Sequence, residues 1–327
     1  MNWTLTAIGN LFNELTALIL VGGVIAFSLH MLLVRRRTRF MRHKCRELKK
    51  REAASRELLS RQKLLQIRAR DIEDSLTYAQ RIQEAMFTTP GEMKKLFPDS
   101  FIYQRPKDIV SGDFYWARRV NGKVLFSAAD CTGHGVPGAF MSLIGIELFR
   151  QIVVEKEVLT PASILDEMNH YFDIIFGNME DLSLKDGIDL AFCAYDYKKH
   201  CLEYAGAFNP IYIIRNNEII EIKGDRTIVG PDYGVERKAF TNRSFPLEKE
   251  DVVYMFSDGY ADQFGGPEGK KYKYRRFKHL LMSIHKLPME QQQRRIEESI
   301  NEWMGVDHEQ IDDQMVIGIR PASFSSS

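Results

Sequence analysis

The segment VLFSAADCTGHG, residues 124–135, shows the pattern from which the fold of this chain is predicted. A short apolar run of strand length delivers Asp130 to a loop that contains glycine. Similar runs lie at 101–104, 113–120, 123–129, 189–195, 202–205, 211–215, 219–223, 252–257 and 315–319. Asn121-Gly122 and Asn216-Asn217 separate neighbouring runs, as in hairpins. Helical stretches interrupt them at 138–153, 161–176, 275–285 and 289–303. This order predicts an α+β fold, an antiparallel β-sandwich flanked by helices, and not a doubly wound parallel sheet.

Acidic residues recur where these strands meet turns. Besides Asp130, they are Asp113 in IVSGDF, Asp258 in FSDG, and the pair Asp312 and Asp313 in DDQM. Because Asp is disfavoured inside strands, each site alone has an ordinary explanation as a turn residue. If the strand ends converge, however, the carboxylates crowd together, which is unfavourable unless hard divalent cations neutralise them. Oxygen ligands favour Mg²⁺ or Mn²⁺ over zinc.

The cysteines do not suggest a competing chemistry. A cysteine phosphatase needs an arginine six residues after its cysteine, and Cys131, Cys193 and Cys201 are followed there by Pro137, Lys199 and Ala207. Cys131 with His134 could begin a zinc site, but no second pair has matching spacing. The cysteines, four in all, show no disulfide-framework spacing, which favours a reducing compartment.

Charge is concentrated near the N-terminus. The 327 residues include 45 Lys plus Arg and 44 Asp plus Glu, for a formal charge of +1. Residues 35–51 contain ten basic residues and one acid, so the remainder of the chain sums to −8. A nucleic-acid-coating protein is therefore not expected.

The apolar segment LTALILVGGVIAFSLHMLLV, residues 15–34, has no Asp, Glu, Lys or Arg. A helix of that length covers about 30 Å, the thickness of the hydrocarbon layer of a membrane. Basic residues follow it, unlike a signal peptide, and they predict a cytoplasmic location for everything after them. We therefore expect a short extracytoplasmic tail (1–13) and a single transmembrane helix (14–34) in the inner, cytoplasmic membrane.

Residues 35–89 predict a basic juxtamembrane helix that continues as a coiled-coil-like linker. A heptad seam runs through Leu58, Gln62, Leu65, Ala69, Ile72, Leu76, Ala79, Gln83 and Met86. The pattern favours a parallel homodimer through this helix. Two alternatives stay open: a single solvated helix, and basic first turns that lie on anionic lipid headgroups.

Ordered motifs in the globular part resemble one family. SGDFYW (111–116), ADCTGHGVPGA (129–139), FSDG (256–259) and DDQM (312–315) resemble the SpoIIE-like branch of the metal-dependent, PPM-type serine/threonine protein phosphatases. AFMSLIG (139–145), KDGIDLAFCAYD (185–196) and AGAFNPIYIIR (205–215) are similar to it as well. The resemblance covers about residues 95–321 and leaves 322–327 as a flexible tail. SLTYAQRIQEAM (75–86) resembles the helix that leads into such domains.

The resemblance implies a binuclear Mn²⁺ or Mg²⁺ centre at one end of the sandwich. Asp130 would bridge both metals, and the backbone carbonyl of Cys131 would bind one of them. Asp258 and Asp312 would hold the other metal, unless Asp313 takes the place of its neighbour. Asp113 would serve the first metal, directly or through water. Asp130 and Asp113 are thus the expected catalytic residues, for in-line hydrolysis of phosphoserine or phosphothreonine without a covalent phosphoenzyme.

Two departures from the family pattern bear on the shape of the substrate site. Relatives often have GHNP or GANNP where residues 206–210 are GAFNP, so Phe208 replaces a polar group. Residues 227–230, TIVG, lack the proline often found before that glycine. His134 has two interpretations, as a proton donor to the leaving serine or as a residue that holds its loop by hydrogen bonds.

The predicted function is dephosphorylation of a cytoplasmic signalling regulator from the membrane. The resemblance implies a small phosphoprotein substrate, such as an antagonist of an anti-sigma factor, and no nucleic acid. With about thirteen residues outside the membrane, a signal would enter through a membrane sensor partner or through dimerisation. The alternative is a catalytically inactive membrane-anchored scaffold whose phosphatase-like domain binds a partner.

Overall fold

The computed structural model describes residues 2–133, 135–177, 187–231 and 237–321. The chain divides into two units, Met1–Glu73 and Asp74–Ser327. His134 and the tail 322–327 lie outside the described residues.

One continuous helix, α1 (Asn2–Met86), begins in the first unit and ends in the second. The sequence from 41 to 86 lacks Pro and Gly and is rich in strong helix formers, which explains the absence of a break there. Side chains in the first unit from residue 7 onward are exposed. Within the described residues, two helical stretches are long and apolar enough to cross a membrane, one within Ala7–Leu96 and one at Val136–Glu155. The second is more than half buried in the globular unit, as expected for a core helix.

The globular unit contains two five-stranded antiparallel sheets in the described residues. The first has the order β1-β12-β9-β6-β7 and the second β2-β3-β4-β5-β8. The strands are β1 (Ser100–Arg105), β2 (Phe114–Val120), β3 (Lys123–Cys131), β4 (Ile188–Asp196), β5 (Cys201–Ala207), β6 (Ile211–Arg215), β7 (Glu218–Ile222), β8 (Arg243–Pro246), β9 (Val252–Phe256), the short hairpin β10 (Phe264–Gly265) and β11 (Lys270–Lys271), and β12 (Gln314–Ile319).

Helices cover the outer face of each sheet. The second sheet is covered by α3 (Val136–Phe149), a π-helix (Arg150–Glu155) and α4 (Pro161–Phe176), and the first by α5 (Gly259–Asp262), α6 (Lys273–Ile284) and α7 (Met289–Met304). The short helix α2 (Pro90–Leu96) instead packs Met93 into the cluster between the sheets. Alternation along β2 shows the layering, since Phe114 and Trp116 pack towards α3 and α4 while Tyr115 packs between the sheets. A third apolar cluster joins the first sheet to α6 and α7. The predicted α+β sandwich flanked by helices is therefore confirmed.

The differences from the predicted elements are local. The strand predicted to end at residue 129 continues to Cys131, so Asp130 lies inside β3. The prediction missed β8, the β10–β11 hairpin, α2 and α5. Thr89 starts α2 through a capping box with Glu92, because its side chain accepts from the Glu92 N–H while the Glu92 carboxylate accepts from the Thr89 N–H.

Candidate active site

The acidic residues predicted from the sequence meet at one end of the sandwich. In the second sheet, Asp130 on β3 lies directly opposite Asp189 on β4, and Asp113 immediately precedes β2. In the first sheet, Asp258 follows β9 and Asp312 precedes β12, which is antiparallel to it. The two sheets meet where the Asp258 N–H lies 3.5 Å from the Asp130 carboxylate. Because neighbouring strands are antiparallel, the end of β9 lies beside the start of β12, and the end of β3 beside the start of β4, which brings these acids to one end of the sandwich.

Burial and mutual repulsion raise the pKa values of these acids. Asp113 is buried, and its pKa lies well above the ordinary value because of burial and the charges of Asp313, Asp312 and Asp258, with a hydrogen bond from Ser257 opposing. The pKa of Asp130 is likewise raised, by burial first and then by Asp113, Asp258 and Asp312. The pKa of Asp258 is raised as well, by burial and by the charges of Asp262 and Asp312. Such a cluster resists full ionisation and gains when cations neutralise it.

Two carboxylate oxygens in the cluster lack partners. Asp113 Oδ2 and Asp189 Oδ1 are buried without a hydrogen bond among the described residues. A buried unpaired oxygen costs free energy, which a cation or an ordered water would recover. In the part of the chain that the structure describes, no group of three His, Cys, Asp or Glu side chains is placed to hold an ion by itself. The unpartnered carboxylate oxygens are donors of the kind that Mg²⁺ accepts, since this ion binds through one or two carboxylates and keeps several waters.

Asp312 and Asp313 differ in their surroundings. Asp313 is buried, and its carboxylate accepts bonds from the Lys107 N–H (2.7 Å), the Ser111 hydroxyl (3.0 Å), the Gly112 N–H (2.7 Å) and the Asp113 N–H (3.3 Å). It therefore holds the loop that carries Asp113. Asp312 is exposed. This contrast favours Asp312 as the ligand of the pair.

The loop after β3 packs closely on the loop before β2. A Cβ on Gly112 would lie 3.4 Å from the Cys131 carbonyl oxygen, and one on Gly138 would collide with the Gly133 carbonyl. The Cys131 thiol is buried, and burial raises its pKa well above the ordinary value, so it is protonated at neutral pH.

The end of α1 is attached to the same loop. The Gln83 amide donates to the Ser111 carbonyl (2.6 Å) and the Ser142 hydroxyl (2.8 Å), and its oxygen accepts from the Ser111 N–H (3.1 Å). Since Ser111 also bonds to Asp313, a chain of hydrogen bonds joins this helix to the acidic cluster. The heptad pattern assigned Gln83 to a helix–helix seam, whereas it is buried against its own domain. Upstream, Leu58, Leu65 and Ile72 are exposed.

Sequence reasoning missed two residues at this end. Asp189 precedes an apolar run, just as Asp312 does, so the same pattern could have found it. Tyr274, at the start of α6, gave no such signal. Its ring lies 6.0 Å from that of Phe256, and its pKa is raised by burial and by acids of both sheets, including Asp258 and Asp130. Its hydroxyl therefore stays protonated and available as a donor near the cluster.

Comparisons with known proteins agree with this architecture. The family described as Stage II sporulation protein E (SpoIIE) matches residues 121–321. Among solved structures, the PP2C domain of SiaA from Pseudomonas aeruginosa is 30% identical with a TM-score of 0.69, over 77% of this chain and 97% of that one. Among curated proteins, no match is found.

Two more distant solved structures show the same fold. The PP2C domain with a regulatory fragment of SpoIIE from Bacillus subtilis is 17% identical with a TM-score of 0.56, over 68% of this chain and 61% of that one. The RsbU and RsbW domains of a Mycobacterium tuberculosis protein are 18% identical with a TM-score of 0.53, over 70% and 62%.

Proposed function

Because this chain belongs to the SpoIIE family of PPM-type serine/threonine phosphatases, we propose that it hydrolyses phosphoserine or phosphothreonine in a protein substrate. The observation that carries this proposal is the convergence of five carboxylates from both sheets at one end of the sandwich. They are Asp113, Asp130, Asp189, Asp258 and Asp312. A stable fold gains nothing from such crowding unless the site holds cations.

The family generally depends on Mn²⁺ or Mg²⁺, and the donor set here fits a binuclear centre. We assign Asp130 as the bridging ligand, because it lies between the acids of the two sheets. Asp113 and the Cys131 carbonyl would hold one ion, and Asp258 and Asp312 the other. When bound, the cations activate water at neutral pH and neutralise charge on the phosphoryl group.

Other residues of the chain position these groups. Asp313 fixes the loop that carries Asp113 through four hydrogen bonds. Gly259 allows the Asp258 turn to approach the backbone of Asp313, where any side chain would collide. Tyr274 offers a neutral hydroxyl donor near Asp258 and Asp130, suited to a phosphoryl oxygen of the substrate.

The substrate proposed from the family is a small phosphorylated regulator, such as an antagonist of an anti-sigma factor. The acids at the proposed ligand positions argue against the alternative of an inactive scaffold. A scaffold needs only the surface of the domain, and it has no use for a crowded acidic cluster whose mutual repulsion opposes folding.

We also propose that α1 anchors the protein in the inner membrane with the phosphatase domain in the cytoplasm. The apolar stretch within α1 is exposed in the chain alone, and the basic residues that follow favour the cytoplasmic side. Protein that remains in membranes after a high-salt wash supports the anchor, and full-length protein in the soluble fraction refutes it.

The phosphatase proposal is tested by phosphate release from a phosphoserine peptide by the full-length protein in detergent. Activity should appear with Mn²⁺ or Mg²⁺ and disappear in excess chelator. Full activity in chelator would contradict the metal site, and absence of activity with every metal would support the scaffold alternative.

A further inference from the structure

Two departures from the family sequence pattern come together beside the acidic cluster. The Phe208 N–H donates to the Asp225 carbonyl (2.9 Å), and the Asp225 N–H donates to the Gly206 carbonyl (2.8 Å). A few residues on, Val229 exchanges both backbone bonds with Ile188, at 2.7 and 3.2 Å. The GAFNP turn and residues 225–230 thus form one continuous rim around the start of β4, where Asp189 lies.

The backbone pairing holds Phe208 close to Asp189 and Asp130 of the acidic cluster. Ala207 pairs with Leu190 at the end of β5, so Phe208 comes level with Asp189, whose carbonyl accepts from the Asn209 amide at 3.1 Å. Asp189 in turn pairs with Asp130 one strand further on. Two strand spacings place the Phe208 backbone about 10 Å from that of Asp130.

The conformation and exposure of Phe208 do not suit a structural role. Its φ is 53°, in the left-handed region that Asn and Gly adopt far more readily than a bulky residue. Half of the side chain, 50%, is exposed, so it contributes little to the core. Ile228 on the same rim is half-buried, and it packs against Gly187 at a point where a Cβ would collide with it. An exposed aromatic side chain on a strained backbone beside an active site is expected where that side chain has a function.

We propose that Phe208 receives an apolar side chain of the phosphoprotein substrate, about three residues away from the phosphorylated serine or threonine. The spacing follows because an extended peptide advances about 3.3 Å per residue, and about 10 Å separates the backbone of Phe208 from that of Asp130. Phe208 is thus a specificity-determining residue, and Ile228 extends the apolar surface of the rim. This inference rests on the proposed phosphatase function and names a feature of its substrate.

The test uses full-length protein in detergent with Mn²⁺, and a set of phosphoserine peptides on an Ala-Ser background. Each peptide carries one leucine at a different distance from the phosphoserine, and p-nitrophenyl phosphate serves as a substrate too small to reach the rim. The variants are Phe208→Asn, which suits the left-handed backbone, and Phe208→Tyr, which keeps the ring. The matched control is His200→Asn, an exposed residue with φ 48° at the opposite end of the β4–β5 hairpin.

The unsubstituted protein should prefer peptides with leucine about three residues from the phosphoserine. For Phe208→Asn, kcat/KM on those peptides should fall roughly five- to tenfold, the effect of losing burial of about half an aromatic side chain. The rate on p-nitrophenyl phosphate should fall much less, and Tm should not drop, because Asn tolerates the backbone. Phe208→Tyr and His200→Asn should keep the leucine preference.

Two results would overturn the inference while leaving the phosphatase proposal intact. One is a leucine preference that persists in Phe208→Asn, and the other is an equal loss on peptide and on p-nitrophenyl phosphate. If the unsubstituted protein hydrolyses neither substrate with Mn²⁺ or Mg²⁺, the proposed function fails and this inference fails with it.

Discussion

The substitution Asp189→Asn removes one charge from the acidic cluster and should stabilise the metal-free protein above neutral pH. One oxygen of Asp189 is buried without a partner among the described residues. Burial, with the charge of Asp258, raises its pKa from 3.8 to about 7. Between those pH values the native protein keeps a proton that the unfolded chain has released. The free energy of unfolding therefore falls as pH rises through this window.

The size of the effect follows from the shift in pKa. About three pKa units at 1.36 kcal/mol each give an upper limit of about 4 kcal/mol. The Asn variant lacks this penalty, so its advantage should be near zero at about pH 4 and complete above about pH 7. Saturating Mn²⁺ should reduce the difference in the free energy of unfolding between the Asn variant and the unsubstituted protein, because cations neutralise the same charges.

Urea denaturation in chelator, followed by circular dichroism from about pH 4.5 to 8.5, measures this difference. Asp307→Asn, at an exposed position away from the cluster, is the matched control. If the stability of Asp189→Asn changes with pH in parallel with that of the unsubstituted protein, Asp189 carries no raised pKa. The carboxylates would then not be crowded enough to raise one another's pKa values.

Three further predictions concern the loops and the helix. Gln83→Leu removes three buried hydrogen bonds and leaves the Ser111 N–H without its partner, so it should cost about 2–4 kcal/mol in urea denaturation and weaken Mn²⁺ binding. Gln62→Leu, at an exposed seam position, should do neither, and equal effects of the two substitutions would refute the coupling. Gly259→Ala places a Cβ against the Asp313 carbonyl, so it should lower the free energy of unfolding by about 1–3 kcal/mol and remove most of the phosphatase activity. Gly91→Ala, which has open space around it, should change neither. Normal turnover by Gly259→Ala would count against the assigned turn geometry. The double substitution Leu65→Lys and Ile72→Lys places charges on exposed seam positions of α1, so it should convert a dimer into a monomer. Light scattering of the detergent-solubilised protein measures the mass, and an unchanged mass would reject the homodimer through this helix.

The sequence predicted the sandwich because its signals are local. The strands are predicted by apolar runs of strand length, one hairpin by the Asn121-Gly122 turn, and the helix starts by proline. What it could not predict depends on tertiary packing. Gln83 fits a heptad as well as it fits a binding partner in its own domain, and only the fold shows that Ser111 and Ser142 surround it.

The candidate site was predictable in part for the same reason. Acids next to apolar strands were visible, and antiparallel pairing brought them to one end. The distinction between Asp312 and Asp313 was not visible, since it depends on which carboxylate meets the loop at 107–113. Tyr274 was missed because its proximity to Asp258 and Asp130 arises only when α6 packs beside β9.

We propose that Asp130 would hold both cations of one catalytic centre. Titration calorimetry of the metal-free, full-length protein with Mn²⁺ tests it directly, on the unsubstituted protein and on Asp130→Asn. The unsubstituted protein should bind two ions per chain. Asp130→Asn should remain folded, lose at least one of the two ions, and release no phosphate from phosphoserine peptides. Unchanged stoichiometry and affinity in Asp130→Asn, with near-normal turnover, would contradict the claim.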